Sequence, residues 1–202
     1  MKETVRGGLL VCASLVLAAG ALAQESTQSG PSPEEAAMMK AWNEARTPGA
    51  PHQHLAESAG TWNFTTKMWM DPSGAPMVST GTATRDMLLG GRVLREKVES
   101  TMMGEPFQGL GLTGYDNVTG KYWSTWTDNM GTGMMVSEGS YDPATHTMTF
   151  SSEVADPLTK KMVKVRMVGD HSAPDHEVFK FYEIRADGGE KMTMEITYDR
   201  AK

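Results

Sequence analysis

Among its 202 residues the chain has a single cysteine, Cys12. It lies inside an N-terminal leader pattern, so the domain that follows contains no thiol. That excludes disulfides, thiolate metal sites and cysteine nucleophiles, and leaves stability to the core. A basic cluster is missing too. Lys and Arg number 19 against 25 Asp and Glu, giving a formal net charge of −6. No stripe of cations is present to track a nucleic acid backbone, and no polybasic segment to hold anionic lipid. Catalytic frames are also absent: there is no nucleophile elbow, no H-E-x-x-H, no ordered Ser/His/Asp set and no paired carboxylates. A small molecule, or a protein, is the partner class that remains.

The leader has an ordered pattern. Lys2 and Arg6 form a positive start, Gly8 to Gly20 is an apolar or small-residue run, and Ala21-Leu22-Ala23 is an A-x-A cleavage site. The run is shorter than the ~20 residues of a membrane span, which predicts a signal peptide cleaved after Ala23. The expected location is periplasmic or secreted, with no membrane anchor after cleavage. Losing Lys2, Arg6 and Glu3 takes the net charge to −7. The predicted organisation is 1–23 signal peptide, 24–32 disordered lead-in, 33–59 helix and connection, and 60–202 β-barrel domain.

Ser32-Pro33-Glu34-Glu35 is a helix start, with an N-cap Ser, Pro at the first position and acids in the first turn. The helix is predicted to reach Arg46, with Met38, Met39, Trp42 and Ala45 on one apolar face, before Thr47-Pro48-Gly49-Ala50-Pro51 stops it. One further short helical turn is expected over 52–59.

From Gly60 the period changes to two. Strand-like runs cover 61–70, 78–88, 92–102, 106–115, 121–129, 133–141, 146–154, 161–169, 176–186 and 191–200. Turns such as Asp71-Pro72-Ser73-Gly74, Gly90-Gly91 and Asp142-Pro143-Ala144-Thr145 separate them. No helix-length pattern interrupts the series, so parallel crossovers are excluded. The prediction is all-β: an antiparallel up-and-down barrel of about ten strands, closed because an exposed edge invites aggregation. Trp62, Phe64, Met68 and Met70 share one face of the first strand, and Met192, Met194, Ile196 and Tyr198 one face of the last.

Several features invite chemistry. Gly109-Leu110-Gly111-Leu112-Thr113-Gly114 matches G-x-G-x-x-G, but it lies inside a strand pattern and leads into a hairpin turn rather than a helix. The glycines instead suit a barrel corner or spare lumen space. Methionine is abundant, with 17 residues recurring as pairs such as Met68/Met70 and Met192/Met194. Thioethers at that density could hold Cu(I), or simply give the lumen a compliant apolar lining. His52-x-His54 follows a Pro-rich turn. Trp126 and Asp128 share one face of their strand, where a ring and a carboxylate would orient a polar-headed ligand. Glu96 lies between Leu94 and Val98 on an apolar face, where it would pair with Arg85 or Arg166, meet a ligand or have its pKa raised.

Two resemblances follow from these residues. Gly60-Thr61-Trp62 on the first strand with Arg200 on the last resembles the calycin signature of lipocalins, in which the Trp packs on the barrel floor under a cation. The runs Met68–Pro72, Ser79–Arg85, Leu112–Asn117, Thr127–Gly133 and Met194–Tyr198 resemble bacterial domain-of-unknown-function family 1579. That resemblance implies a barrel and carries no activity or catalytic residue with it.

The leading expectation is a non-enzymatic binder of a small, largely apolar ligand, with no cofactor. Glu96, Trp126, Asp128, Met68, Met194 and Tyr198 would meet the ligand, while Gly60, Trp62 and Arg200 hold the fold. Two alternatives stay open. One is a metal- or haem-binding barrel using Met or His ligands, with His176 placed as nitrobindin-like barrels place theirs. The other is a cofactor-free enzyme using Glu96 or Asp128.

Overall fold

A computed structural model describes residues 30–71 and 73–202. The predicted signal peptide and most of the lead-in lie outside the described residues. Two helices, α1 (Pro33–Arg46) and α2 (Ala50–Glu57), precede ten strands. The strands are β1 (Gly60–Met68), β2 (Met77–Leu88), β3 (Val93–Met102), β4 (Glu105–Asp116) and β5 (Lys121–Asp128). They continue as β6 (Met135–Asp142), β7 (Thr147–Ala155), β8 (Met162–Ala173), β9 (His176–Ile184) and β10 (Glu190–Arg200). Each strand pairs antiparallel with its sequence neighbour, and β10 returns to β1, so the sheet is a closed ten-strand barrel.

All ten sequence runs contain a strand. The largest displacement is at β8, which continues to Ala173 instead of ending at 169. Gly169-Asp170 reads locally as a turn. In the fold Asp170 accepts a hydrogen bond from the Ser172 amide (2.9 Å), and the register with β9 slips between Asp170 and Ala173, so the strand bulges and goes on. Two face assignments also change. β1 ends at Met68, leaving Met70 exposed in the turn, and a bulge between Met192 and Met194 separates Met192 from its expected face.

The ends of the sheet join through Trp62. It pairs in register with Arg200, has no solvent exposure, and donates its indole N–H to the Ser58 carbonyl (3.0 Å). The Arg200 guanidinium lies 4.2 Å from the indole centroid and donates to the carbonyls of Glu57 (2.7 Å), Ala59 (2.7 Å) and Pro174 (3.1 Å). Gly60 has φ +134°, and a Cβ there would lie 2.8 Å from Arg200 Nη1. Glycine is therefore required beside the Trp for two reasons, backbone conformation and room for the cation.

The helices behave differently from one another. α1 has the expected capping box, with Ser32 and Glu35 bonding reciprocally (3.2 and 2.8 Å). Its predicted apolar face is not buried, however: Met38 is 55% exposed and Trp42 69%. The helix is held by its C-terminal end instead. The Asn117 amide donates to the carbonyls of Glu44 (3.0 Å), Ala45 (3.2 Å) and Thr47 (2.8 Å), and Arg92 donates to that of Arg46 (2.6 Å). These are the orphan carbonyls every helix leaves at that end. α2 is the helix that covers the barrel. Its Leu55 joins a core cluster with Leu94, Tyr122, Met148, Phe150 and Met167, and the Tyr122 hydroxyl reaches the Pro51 carbonyl (3.4 Å).

Arg200→Ala removes three charge-assisted hydrogen bonds and a cation–aromatic contact, so it should cost about 2–4 kcal/mol in urea unfolding. A Met38→Ser/Trp42→Ser double variant on α1 should change stability by less than about 0.5 kcal/mol. Equal losses in the two would contradict this division of roles.

Candidate functional site

The barrel lumen holds a cavity of about 460 Å³. All six sequence-predicted contact residues line it: Met68, Glu96, Trp126, Asp128, Met194 and Tyr198. Strand alternation brings them together, because each lies on the inward parity of its strand.

The end under α2 forms a polar floor. Arg85, 8% exposed, donates from Nε to Glu96 Oε1 (2.7 Å) and from Nη1 to Glu177 Oε2 (2.6 Å). Its guanidinium also lies 4.5 Å from the Tyr198 ring centroid and 5.0 Å from that of Trp62. Glu177 Oε1 accepts from the Ser58 hydroxyl (2.9 Å), with His171 Nδ1 3.5 Å away. Burial alone would push Arg85 down, but Glu96 and Glu177 outweigh it and raise its pKa. Burial would likewise raise Glu177, yet the nearby His171 and the Arg85 charge hold it down at about 2. Burial pushes Tyr198 well above the usual phenol range, and the Glu96 charge adds to that.

Sequence reasoning named Arg85 and Arg166 as possible partners of Glu96. Arg85 is the partner, and Arg166 pairs with Glu190 on the outside (2.6 Å). Glu177 and His171 were missed as lumen residues. Glu177 shares parity with Phe179 and Phe181, which was a readable signal. His171 lies beyond the expected end of β8, so its alternation was cut off.

The histidines divide in two. His54 lines the floor, stacked on Tyr141 (centroids 3.9 Å) and near His171 (5.6 Å), and burial lowers its pKa. His52 is buried, and its Nδ1 accepts from the Gly49 amide (3.1 Å), capping α2. His176 is outside the cavity, half-exposed and paired with Asp199 (2.7 Å). The expected haem ligand is therefore misplaced: His176 opens β9 on the outer parity, so its ring cannot reach a group in the lumen. Among the described residues no group of three or more His, Asp or Glu is arranged to hold a metal ion.

Trp126 is seated by glycine. A Cβ at Gly109 would lie 2.5 Å from its Cη2, and one at Gly111 would lie 3.3 Å from its Cε3. The G-x-G-x-x-G run thus makes room for an indole on the inner wall. Trp126 donates to Asp128 Oδ2 (2.8 Å), and Asp128 Oδ1 accepts from the Met130 amide (3.0 Å). Both Asp128 oxygens are engaged, so this carboxylate orients the ring and its loop. Among the described residues the hydrogen-bond partners of Glu96 and Asp128 are Arg85 for the one, and Trp126 and the Met130 amide for the other.

The other end carries methionine. Met68, Met102, Met130, Met135 and Met194 line the cavity there, and Met68 stands in register between Met77 and Met194. Among the described residues no helix covers this end.

The chain belongs to the family "Protein of unknown function (DUF1579)", whose model matches residues 47–200. No curated protein matches it. Among solved structures it is similar to Rv2717c from M. tuberculosis, with TM-score 0.56, 13% identity, and coverage of 77% of this chain and 100% of that one. This likeness speaks to the fold. A de novo designed fluorescence-activating β-barrel is also matched, with TM-score 0.37, 13% identity, and coverage of 71% and 93%.

Gly109→Ala should displace Trp126 and cost about 1–3 kcal/mol, with a shift in tryptophan emission. An unshifted spectrum at unchanged stability would contradict the seat. For Glu177, the depressed folded pKa means its contribution is fully present above the unfolded value of 4.5 and is lost as pH falls toward 2. That contribution is on the order of 3 kcal/mol. Glu177→Gln should therefore flatten the urea-midpoint profile between pH 4.5 and 2, and an unchanged slope would contradict the assignment.

Proposed function

We propose that this protein is an exported, non-enzymatic binder that carries a small, largely apolar molecule in its barrel lumen. The observation that carries the reading is the lumen cavity of about 460 Å³, within the ~300–1,000 Å³ range of small-molecule sites. Its walls supply burial at roughly 25 cal/mol per Å² of apolar area. Phe64, Phe179 and Phe181 give rigid surface, and Met167, Met194 and Met68 give compliant surface that adapts to an irregular shape.

Holding fits better than turnover. The floor carboxylates are tied to Arg85 and the wall carboxylate to Trp126, which fixes side chains in place. α2 lies over the floor, so access is expected through the methionine end. The leader pattern of residues 1–23 supports an exported setting.

The neutral fluorescent probe N-phenyl-1-naphthylamine should bind with one-to-one stoichiometry and a blue-shifted emission. A lumen-filling Ser124→Trp variant that retains its circular dichroism should bind at least tenfold more weakly. A folded wild-type protein that leaves the probe in water, or a filled variant that binds as well, would overturn the proposal.

A further inference from the structure

We infer that the lumen selects ligands carrying a cationic amine head, recognised by Glu96. This rests on the binding role proposed above and specifies the ligand class.

The argument starts from which polar atoms of the floor are already met. Both Glu177 oxygens are engaged, Oε2 by Arg85 and Oε1 by Ser58 beside His171. Those of Glu96 are not. Its Oε1 accepts from Arg85 Nε (2.7 Å), and among the described residues no donor meets its Oε2. The side chain lines the cavity and is 20% exposed. A carboxylate oxygen facing an apolar chamber is costly unless a donor reaches it, and a charged donor answers it best.

The neighbouring surface suits a cation. Glu96, Gly111 and Trp126 are register partners across β3, β4 and β5. Because Gly111 has no side chain, the Trp126 ring and the Glu96 stem lie side by side over it. A Cβ placed there would be 3.3 Å from Trp126 Cε3 and 3.7 Å from Glu96 Cβ. An ammonium on Glu96 Oε2 would therefore sit beside an aromatic wall, where cations gain further attraction. Arg85 is already balanced against two carboxylates, Nε donating to Glu96 and Nη1 to Glu177, so the floor holds two negative charges to one guanidinium and an anionic head would add a third. The chain's net charge of −6 favours the approach of a cation as well.

One further polar atom behind the lumen wall is unmet. Ser137 Oγ is buried without a hydrogen-bond partner, in a residue 3% exposed that lines the cavity. Its strand neighbour Ser124 bonds instead with Thr113 (3.3 Å). Buried hydroxyls are rarely left unpaired. The Ser137 oxygen has almost no surface of its own, so the ligand contact is assigned to Glu96 alone.

Three naphthalenes of matched shape test this by calorimetry at pH 7: 1-naphthylmethylamine, 1-naphthalenemethanol and 1-naphthoate. The amine should bind at least tenfold more tightly than the alcohol, with the carboxylate weakest. Glu96→Gln should abolish the amine's advantage over the alcohol, a loss of at least tenfold in the ratio of their affinities. If that variant does not fold, the wild-type ranking alone decides. An amine that binds no better than the alcohol, while N-phenyl-1-naphthylamine still occupies the lumen, overturns the amine assignment and leaves the binding role standing. A preference for the carboxylate overturns it in favour of Arg85. If neither the naphthalenes nor the neutral probe bind folded protein, both proposals fall.

Discussion

The barrel depends on the closure of β1 against β10 around Trp62. That indole is fully buried, with the Arg200 guanidinium 4.2 Å and the Arg85 guanidinium 5.0 Å from its centroid. Arg200 ties together three separate pieces of chain: the end of α2 through Glu57, the lead into β1 through Ala59, and the β8–β9 turn through Pro174. A closed sheet has no edge, and this seam is what leaves β1 and β10 without one. Arg85 extends the seam inward. The cation that stacks on the closure tryptophan also holds Glu96 and Glu177, so the floor of the lumen is the inner surface of the closure.

This gives the barrel two unlike ends. The floor is aromatic and charged and lies under α2, with Ser58, Glu177, Arg85 and Glu96 joined by hydrogen bonds. The far end is ringed by flexible thioethers with no helix over it among the described residues. Rigid polar groups deep in a chamber and compliant apolar groups at its opening form a gradient suited to an amphipathic guest that enters head first. The hydroxyls of Thr113 and Ser124 and the unpaired Ser137 add a polar stripe to one wall, facing phenylalanine and methionine on others.

The strands were legible because period-two alternation and turn residues are local signals, and so was the Trp62–Arg200 pairing, which needs only the knowledge that first and last strands meet. The Glu96–Arg85 pair was half legible, since β2 and β3 are adjacent and place the two in register. Other features needed the closed fold. Glu177 meets Arg85 only across the lumen, 92 residues away in sequence. His171 required the β8 bulge that its sequence disguises as a turn. The α1 periodicity was real, yet periodicity shows only that a face is apolar. That face stays exposed because the helix is anchored by carbonyl contacts at its C-terminal end.

The central claim is that the lumen is a chamber a molecule can occupy. A crystal structure determined under xenon pressure tests it most directly, because xenon collects in apolar cavities large enough to hold it. The account predicts xenon density among Phe64, Met167 and Ile196, above the Arg85 floor, with the side chains where they stand. A lumen closed by collapsed methionine and phenylalanine side chains, with no xenon inside, would contradict it.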